Sequence, residues 1–370
     1  MLLGCSFAGL EFLYQLAKRA GRFRPGEMTV VDPRPRHSYM PLVHEVASGA
    51  RSAYELTFDS PAFVRSIGGA WVTGEAVSLD PANHTVTLDG GRTLDYDRCA
   101  IAVGSVSDAP PQLLGSEGVV AAKWVSDAIA VREQLHRIRA AGARRAHVVV
   151  AGGALTAVEW GAELAAALVD AARVDVTLLG ASPRLLREFH PVVGRLASGI
   201  LEAMGVKVIF GQSVMRHSNR TAHTLDGGEH PADLLVWAGG VRPNPVLEHF
   251  GVPLGDDGRV IVTPRLTVKG RPGLYAIGDA AQIVESGMSW PTMQRAIEAI
   301  WQGTTLARRF HAGSQDDRGP SHRLRPDFWY GLSLGAEHSA AFSGRWITEH
   351  RGLVRGRRLL QRLYYRRFRL

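Results

Sequence analysis

Twice in this chain an apolar strand runs into a glycine-rich turn and then a helix, and this doubled pattern restricts the possible folds more than any other feature. The first turn, Gly4-Cys5-Ser6-Phe7-Ala8-Gly9, opens a helix with Leu10, Leu13, Leu16 and Ala17 on one face, followed by the strand Met28-Thr29-Val30-Val31-Asp32. Such a turn frees backbone N–H groups at a helix N-terminus to hold a pyrophosphate, and an acid ending the next strand takes ribose hydroxyls. Spacing and context fit a dinucleotide site, although a single motif of this kind is as readily a plain strand-turn-helix. The middle glycine of the usual pattern is Ser6 here, a small hydroxyl in place of bare backbone. Only Met1, Leu2 and Leu3 precede the turn, where about five strand residues are usual. The first strand reads as clipped, and a start further upstream stays open.

The second turn, Gly152-Gly153-Ala154-Leu155-Thr156-Ala157, follows the strand His147 to Ala151 and continues into Val158-Glu159-Trp160-Gly161-Ala162-Glu163-Leu164. Two such units are far more specific than one. Gly9 and Asp32 lie 23 positions apart, and the same count from Ala157 arrives at Gly180, just after the well-formed strand Val174 to Leu179. The second unit therefore lacks the ribose acid, which weakens selection for a free 2′-hydroxyl. NADPH, relaxed use of both nucleotides and loss of nicotinamide binding all stay open. Arg184 and Arg187 are close enough in sequence to meet a 2′-phosphate, though loop arginines are more often simply solvated.

Between the two units, Pro33 to Leu42 is a proline-punctuated loop that should pass close to whatever the first turn binds. Residues 70–79, 84–88 and 94–103 read as strands and Asp127 to Ala140 as a helix. Lys207 to Phe210 and Ala232 to Trp237 continue the strand pattern. The 370 residues, 45% hydrophobic and 21% charged, are enough for two domains and a substantial core. The two cysteines, Cys5 and Cys99, have neither metal nor redox spacing, so a disulfide framework is not expected and a reducing compartment is favoured. The Leu2-Leu3-Gly4-Cys5 run lacks the basic and apolar segments that precede a lipoprotein cleavage box. The most apolar stretch, Val148 to Val169, is interrupted by Glu159 and Glu163, and no spanning segment is expected.

With Ala102-Val103-Gly104-Ser105, Trp237 to Pro245 and Ala276-Ile277-Gly278-Asp279 added to the two turns, the chain resembles the two-dinucleotide-domain flavoprotein reductases. It is most similar to type II NADH dehydrogenases, the monotopic NAD(P)H:quinone oxidoreductases. The more specific parts of the likeness are Phe7-Ala8-Gly9-Leu10, the run from Asp32 to Gly49 with His37 and Pro41-Leu42, and the helix around Gln294. The resemblance implies an α/β fold of two Rossmann-like domains. The FAD domain would be discontinuous over residues 1–115 and 251–340, the NAD(P)H domain inserted at 116–250, and a basic amphipathic helical tail placed at 341–370. It implies FAD on Gly4, Ser6, Phe7, Ala8, Gly9, Asp32, Arg34, His37, Pro41, Val103, Gly104, Gly278 and Asp279. NAD(P)H would lie on Gly152, Gly153, Ala154, Ala157 and Gly240, with Glu159 near the nicotinamide end. Ser6, Ala154, Val103 and Gly180 depart from the family pattern. The implied activity is hydride transfer from NAD(P)H to flavin N5, then delivery of two electrons to a membrane quinone without proton pumping.

In that family two glutamines four residues apart stand beside the flavin where quinone docks, and the matching positions here are Gln294 and Glu298. Gln302 extends the same helical stripe. The plainer alternative is a polar outer face, with Met293, Ile297 and Trp301 turned inward. Glu298 is the expected proton donor or orienting group for quinone. No metal site is expected, and the 14 histidines show no metal spacing or triad.

Residues 345–370 hold nine arginines against the single acid Glu349, which accounts for the whole net charge of +8. Leu353, Leu359, Leu360, Leu363, Tyr364 and Phe368 fall along one side of a helix, with Arg355, Arg358, Arg362, Arg366 and Arg369 largely on the other. This pattern suits an interfacial helix on the cytoplasmic face of a membrane. The alternatives are a helix packed on its own domain or on a partner subunit in a homodimer, and a nucleic-acid arm, which is not expected. A sulfide:quinone oxidoreductase needs reactive cysteines beside the flavin, where neither Cys5 nor Cys99 is placed. A flavin-binding sensor or scaffold with a degenerate nicotinamide unit is the reading from another class.

Overall fold

The computed structural model describes residues 1–140, 145–168, 174–284, 294–313, 319–325, 328–335 and 337–368. Two five-stranded parallel sheets organise them. The first runs in the order Leu274–Ala276, Cys99–Ile101, Leu2–Leu3, Thr29–Val31, Ala70–Val72. The second runs Val119–Ala121, Leu234–Trp237, Ala146–Ala151, Val174–Gly180, Lys207–Phe210. Each unit also carries a three-stranded antiparallel meander, at residues 76–95 in the first and 214–231 in the second. The internal echo of the sequence is an echo of architecture: the chain is α/β with two Rossmann-like units. Antiparallel strands Ser105–Ser107 and Val241–Pro243 form the double crossing between them.

The first strand holds only Leu2–Leu3, yet it is central, paired on both sides and fully buried. Its apolar pair suffices because both faces are covered. The second helix, Leu155–Leu168, is apolar nearly all round because it is also covered on both sides. One side meets the parallel sheet. The other meets an antiparallel sheet of Tyr330–Leu334, His338–Ser343 and Trp346–Glu349, whose Leu332, Leu334, Ala340 and Phe342 join the core of the second unit. The boundary expected at 340 thus falls inside a strand.

The tail helix, Gly352–Arg366, is not two-sided as the sequence pattern suggests. Tyr364, Tyr365 and Phe368 are buried in the core of the first unit, beside Phe7, His37 and Phe58. Tyr365 donates to the Leu56 carbonyl at 2.9 Å and Gln361 to the Glu55 carbonyl at 2.9 Å. Leu359, Leu360 and Leu363 are instead 55%, 62% and 47% exposed. Arg355, Arg362 and Arg366 are exposed on a third side. Arg357, Arg358 and Arg367 turn inward to Glu159, Glu45 and Glu11. The hydrophobic pattern is resolved this way because aromatic rings fill the core and a leucine stripe is left outside. Arg369 lies outside the described residues. Among the described residues no helix is long and apolar enough to cross a membrane.

His37, expected on the cofactor, is a core residue. It is 4% exposed, sits 4.7 Å edge-on from Phe7, and neither ring nitrogen has a hydrogen-bond partner. Burial pushes its imidazole down from 6.5 to about 3. The unfolded chain therefore binds a proton between these values that the native state refuses, so stability falls as pH drops through 6.5. Acidification from about pH 7.5 to about pH 5.5 should cost about 1.4 kcal/mol through this residue. The variant His37→Phe, which keeps a ring in the cluster, should lose that portion of the pH dependence in urea unfolding; an unchanged slope would count against the assignment.

Candidate functional site

One cavity of about 340 Å³ runs along the C-terminal edge of the first sheet and reaches the second unit. At one end stands Asp32, 4% exposed, its Oδ2 accepting from the Cys5 amide at 2.7 Å and its Oδ1 from the Arg34 amide at 2.8 Å. Burial raises the Asp32 pKa while Arg34 and these two amides act in the opposite sense. An ionised carboxylate has lone pairs left for ribose hydroxyls. Next along the cavity come Gly4, Ser6 and Ala8 at the start of the helix Phe7–Ala20. Gly4 has φ +94°, and a Cβ there would lie 2.3 Å from the Ala102 carbonyl oxygen, so the turn can be this tight only with glycine. Ser6 Oγ is buried, lines the cavity and has no hydrogen-bond partner. A buried hydroxyl without a partner beside a helix N-terminus is what a bound phosphate would satisfy.

Val103, Gly104, Gly278 and Asp279 form the middle of the cavity. Asp279 accepts from Ser105 Oγ at 2.7 Å, and Ser105 Oγ accepts from Lys123 Nζ at 2.8 Å. Burial pushes the Lys123 ammonium down to about 8, against the pull of Asp279. Lys123 lines the cavity, and so does Trp124, over whose ring the Arg34 guanidinium stacks at 4.3 Å. Sequence reasoning missed Lys123, Trp124 and Ser105. Ser105 stood only as the last residue of the Ala102-Val103-Gly104-Ser105 motif, and nothing in the sequence pattern pointed to Lys123 or Trp124.

The far end is bounded by Pro41 and Gln294 from the first unit and by Leu155, Thr156, Glu159 and Trp160 from the second. Glu159 Oε1 accepts from the Ser333 amide at 2.9 Å and from Arg357 at 2.6 Å. Burial raises its pKa, and the Arg357 guanidinium opposes the shift. Arg357 also donates to the Pro41 carbonyl at 2.8 Å, so the tail helix closes this end. Nothing in the sequence pattern pointed to Arg357, which read as one of nine similar arginines.

Glu298, expected beside the acceptor, does not line the cavity. It is 1% exposed and shares Oε1 with His322 Nε2 at 2.5 Å and with Gln302 Nε2 at 3.3 Å. Gln302 Oε1 in turn accepts from the Gly278 amide at 2.7 Å. The polar stripe of the helix Ala296–His311 therefore faces inward and braces the Gly278-Asp279 turn, because it finds buried partners there. Met293 lies outside the described residues. Gly9 is also structural: a Cβ there would meet the Gly4 carbonyl oxygen at 2.2 Å. Gly240 and Ala157 line neither cavity; Ala157 is fully buried against the sheet, and Gly240 accepts from the Asp108 amide in the crossing.

A second cavity of about 360 Å³ lies over Gly152, Gly153 and Ala154. The two cavities share one turn between them. Gly152 to Ala154 face the second, whereas Leu155, Thr156 and Glu159, directly following, face the first. Both cysteines are buried outside either lining, and burial pushes the Cys99 thiol up to about 12 and the Cys5 thiol higher still. Among the described residues no group of acids, histidines and cysteines could hold a metal ion.

The family model described as pyridine nucleotide-disulphide oxidoreductase matches residues 1–303. The chain is 25% identical over 328 residues to the type II NADH:quinone oxidoreductase of Haemophilus influenzae, covering 77% of this chain and 74% of that protein. It is 26% identical over 360 residues to the type II NADH:quinone oxidoreductase NdhA of Mycobacterium tuberculosis, covering 87% and 74%. Its fold matches NDH2 from Plasmodium falciparum, solved in complex with NADH, with a TM-score of 0.84 at 16% identity, over 99% of this chain and 96% of that one. With both glycine turns, the crossing strands and the Gly278-Asp279 turn inside the matched region, the chain belongs to the pyridine nucleotide-disulphide oxidoreductase family.

Proposed function

We propose that this protein is an FAD-dependent NAD(P)H:quinone oxidoreductase that works from a membrane surface without crossing it. The observation that carries the reading is the shared turn: a nucleotide whose pyrophosphate lies over Gly152 to Ala154 would project its nicotinamide past Thr156 and Glu159 into the first cavity. A bound flavin supplies the hydride-accepting and electron-donating chemistry, so the chain need provide no nucleophile. Its own residues bind and orient. Ser6 Oγ and the N–H groups behind it take the pyrophosphate, Asp32 takes the adenosine ribose, and Lys123 places a positive charge near Asp279. A sulfide-oxidising reading is disfavoured by two buried cysteines that line neither cavity.

Glu159 is the acid at the end where donor and acceptor would meet. Reducing a quinone consumes two protons, and a carboxyl whose pKa is raised by burial is suited to handle one of them. Glu159 replaces Glu298 in this role, since Glu298 is committed to His322 and Gln302.

The exposed Leu359, Leu360 and Leu363, flanked by Arg355, Arg362 and Arg366, form the surface offered to a cytoplasmic-side membrane. Each arginine near an anionic surface contributes about 1 kcal/mol. Lipid-soluble quinone would then be delivered where the tail helix meets the cavity.

Purified protein should show a flavin spectrum that NADH or NADPH bleaches anaerobically and that added quinone restores. A yellow protein bleached by neither nucleotide would instead support the non-catalytic reading. In stopped flow, Glu159→Gln should slow reoxidation by quinone about 10²-fold while flavin reduction changes much less; equal effects on both half-reactions would remove the proton role. Leu359→Ser, Leu360→Ser and Leu363→Ser combined should abolish flotation with anionic liposomes without altering the flavin spectrum. Truncation is the wrong test here, because it would empty the core of Tyr364, Tyr365 and Phe368.

A further inference from the structure

The second cavity carries more information than its glycine turn. It opens where the strands Ala146–Ala151, Val174–Gly180 and Leu234–Trp237 end, the place where a parallel sheet of this kind receives the adenosine half of a dinucleotide. Gly180 ends the strand at the position of the ribose acid. Packing does not demand a glycine there: a Cβ would lie 3.8 Å from the Gly152 carbonyl oxygen and 3.9 Å from Gly153 Cα, ordinary contact distances. The missing carboxylate is thus a chemical feature of the cavity and not a steric necessity.

The wall beyond Gly180 is built from Ser182, Arg184 and Arg187. The two arginines do different work. Arg184 donates to the carbonyls of Leu186 at 3.0 Å, Arg187 at 2.8 Å and Phe189 at 2.9 Å, so its guanidinium is spent on holding the loop in shape. The Arg187 side chain is exposed, lines the cavity and makes no hydrogen bond or ion pair among the described residues. Glu188 is the acid on this wall, exposed on the loop eight residues beyond the strand-end position Gly180.

We infer that this cavity selects NADPH over NADH, with Arg187 and Ser182 holding the 2′-phosphate on the loop that Arg184 braces. The inference rests on the second unit being the nicotinamide-nucleotide site. A free guanidinium and a hydroxyl match a phosphomonoester, and Gly180 brings no negative charge to repel it.

Calorimetric titration of the purified holoprotein with adenosine fragments reads this wall without catalysis. 2′,5′-ADP should bind about 10- to 100-fold more tightly than 5′-AMP, the range expected for one or two charge-assisted hydrogen bonds. 3′,5′-ADP, with the same charge on the other hydroxyl, should bind no better than 5′-AMP. Arg187→Ala should collapse the ratio, and Gly180→Asp should reverse it. Anaerobic flavin reduction is then compared for NADPH and NADH. Equal or tighter binding of 5′-AMP, or equal gain from 3′,5′-ADP, overturns the selectivity; if NADH still bleaches the flavin, the proposed function survives that failure. If no fragment binds and neither nucleotide reduces the flavin, both readings fall.

Discussion

The helices Phe7–Ala20 and Ala296–His311 cross so closely that a Cβ at Gly303 would lie 2.4 Å from the Ala8 carbonyl oxygen. The rest of the first unit depends on that contact. It joins the chain's opening segment to one nearly three hundred residues later and sets Gly278 against Ala8, where a Cβ would be 3.0 Å from the Ala8 side chain. The two turns that border the middle of the first cavity are therefore held by one backbone approach. Gln302, one residue before the crossing, fixes the Gly278 amide from the same helix. Any larger residue at 303 would push the helices apart and widen the cradle.

A second layer of constraint comes from buried charge. Glu45, Glu159 and Glu11 are each buried and each meets an arginine of the tail. Of the three pairs Arg357–Glu159 is the one well covered on both sides, and removing one partner of such a buried pair typically costs about 3–5 kcal/mol, because the other charge is left uncompensated. Solvent screens the other two arginines more. The tail is thus bound by geometry that tolerates little slippage: Arg357 reaches both Glu159 in the second unit and the Pro41 carbonyl in the first. Ser48 adds a tie in the same region by donating to Glu163 at 2.6 Å. The segment from Pro41 to Gly49 is where the two units and the tail meet.

Much of this is legible in the sequence. Strand-turn-helix units repeat with local signals, and short-range patterning carries such elements well: both glycine turns, Asp32 and the empty position at Gly180 were readable by spacing. What was not legible depends on long-range partners. Glu298 lies on the predicted helical stripe, but whether the stripe faces solvent or core was decided by His322 and Gly278, distant in sequence. His37 sits within a binding-like run and becomes core because Tyr364 and Tyr365 arrive from the opposite end of the chain. The tail's period was right, whereas its orientation depended on acids that periodicity cannot locate.

The tail helix brings Tyr364, Tyr365 and Phe368 into a core otherwise assembled from residues 2–102 and 247–307. Phe7, His37 and Phe58 therefore take one packed face from residues made more than three hundred positions later. Until that helix has been made, Phe7, His37 and Phe58 lack the rings that cover them. The same helix carries Arg357 onto Glu159 and the Pro41 carbonyl, so completing this core and closing the far end of the first cavity are one event in time.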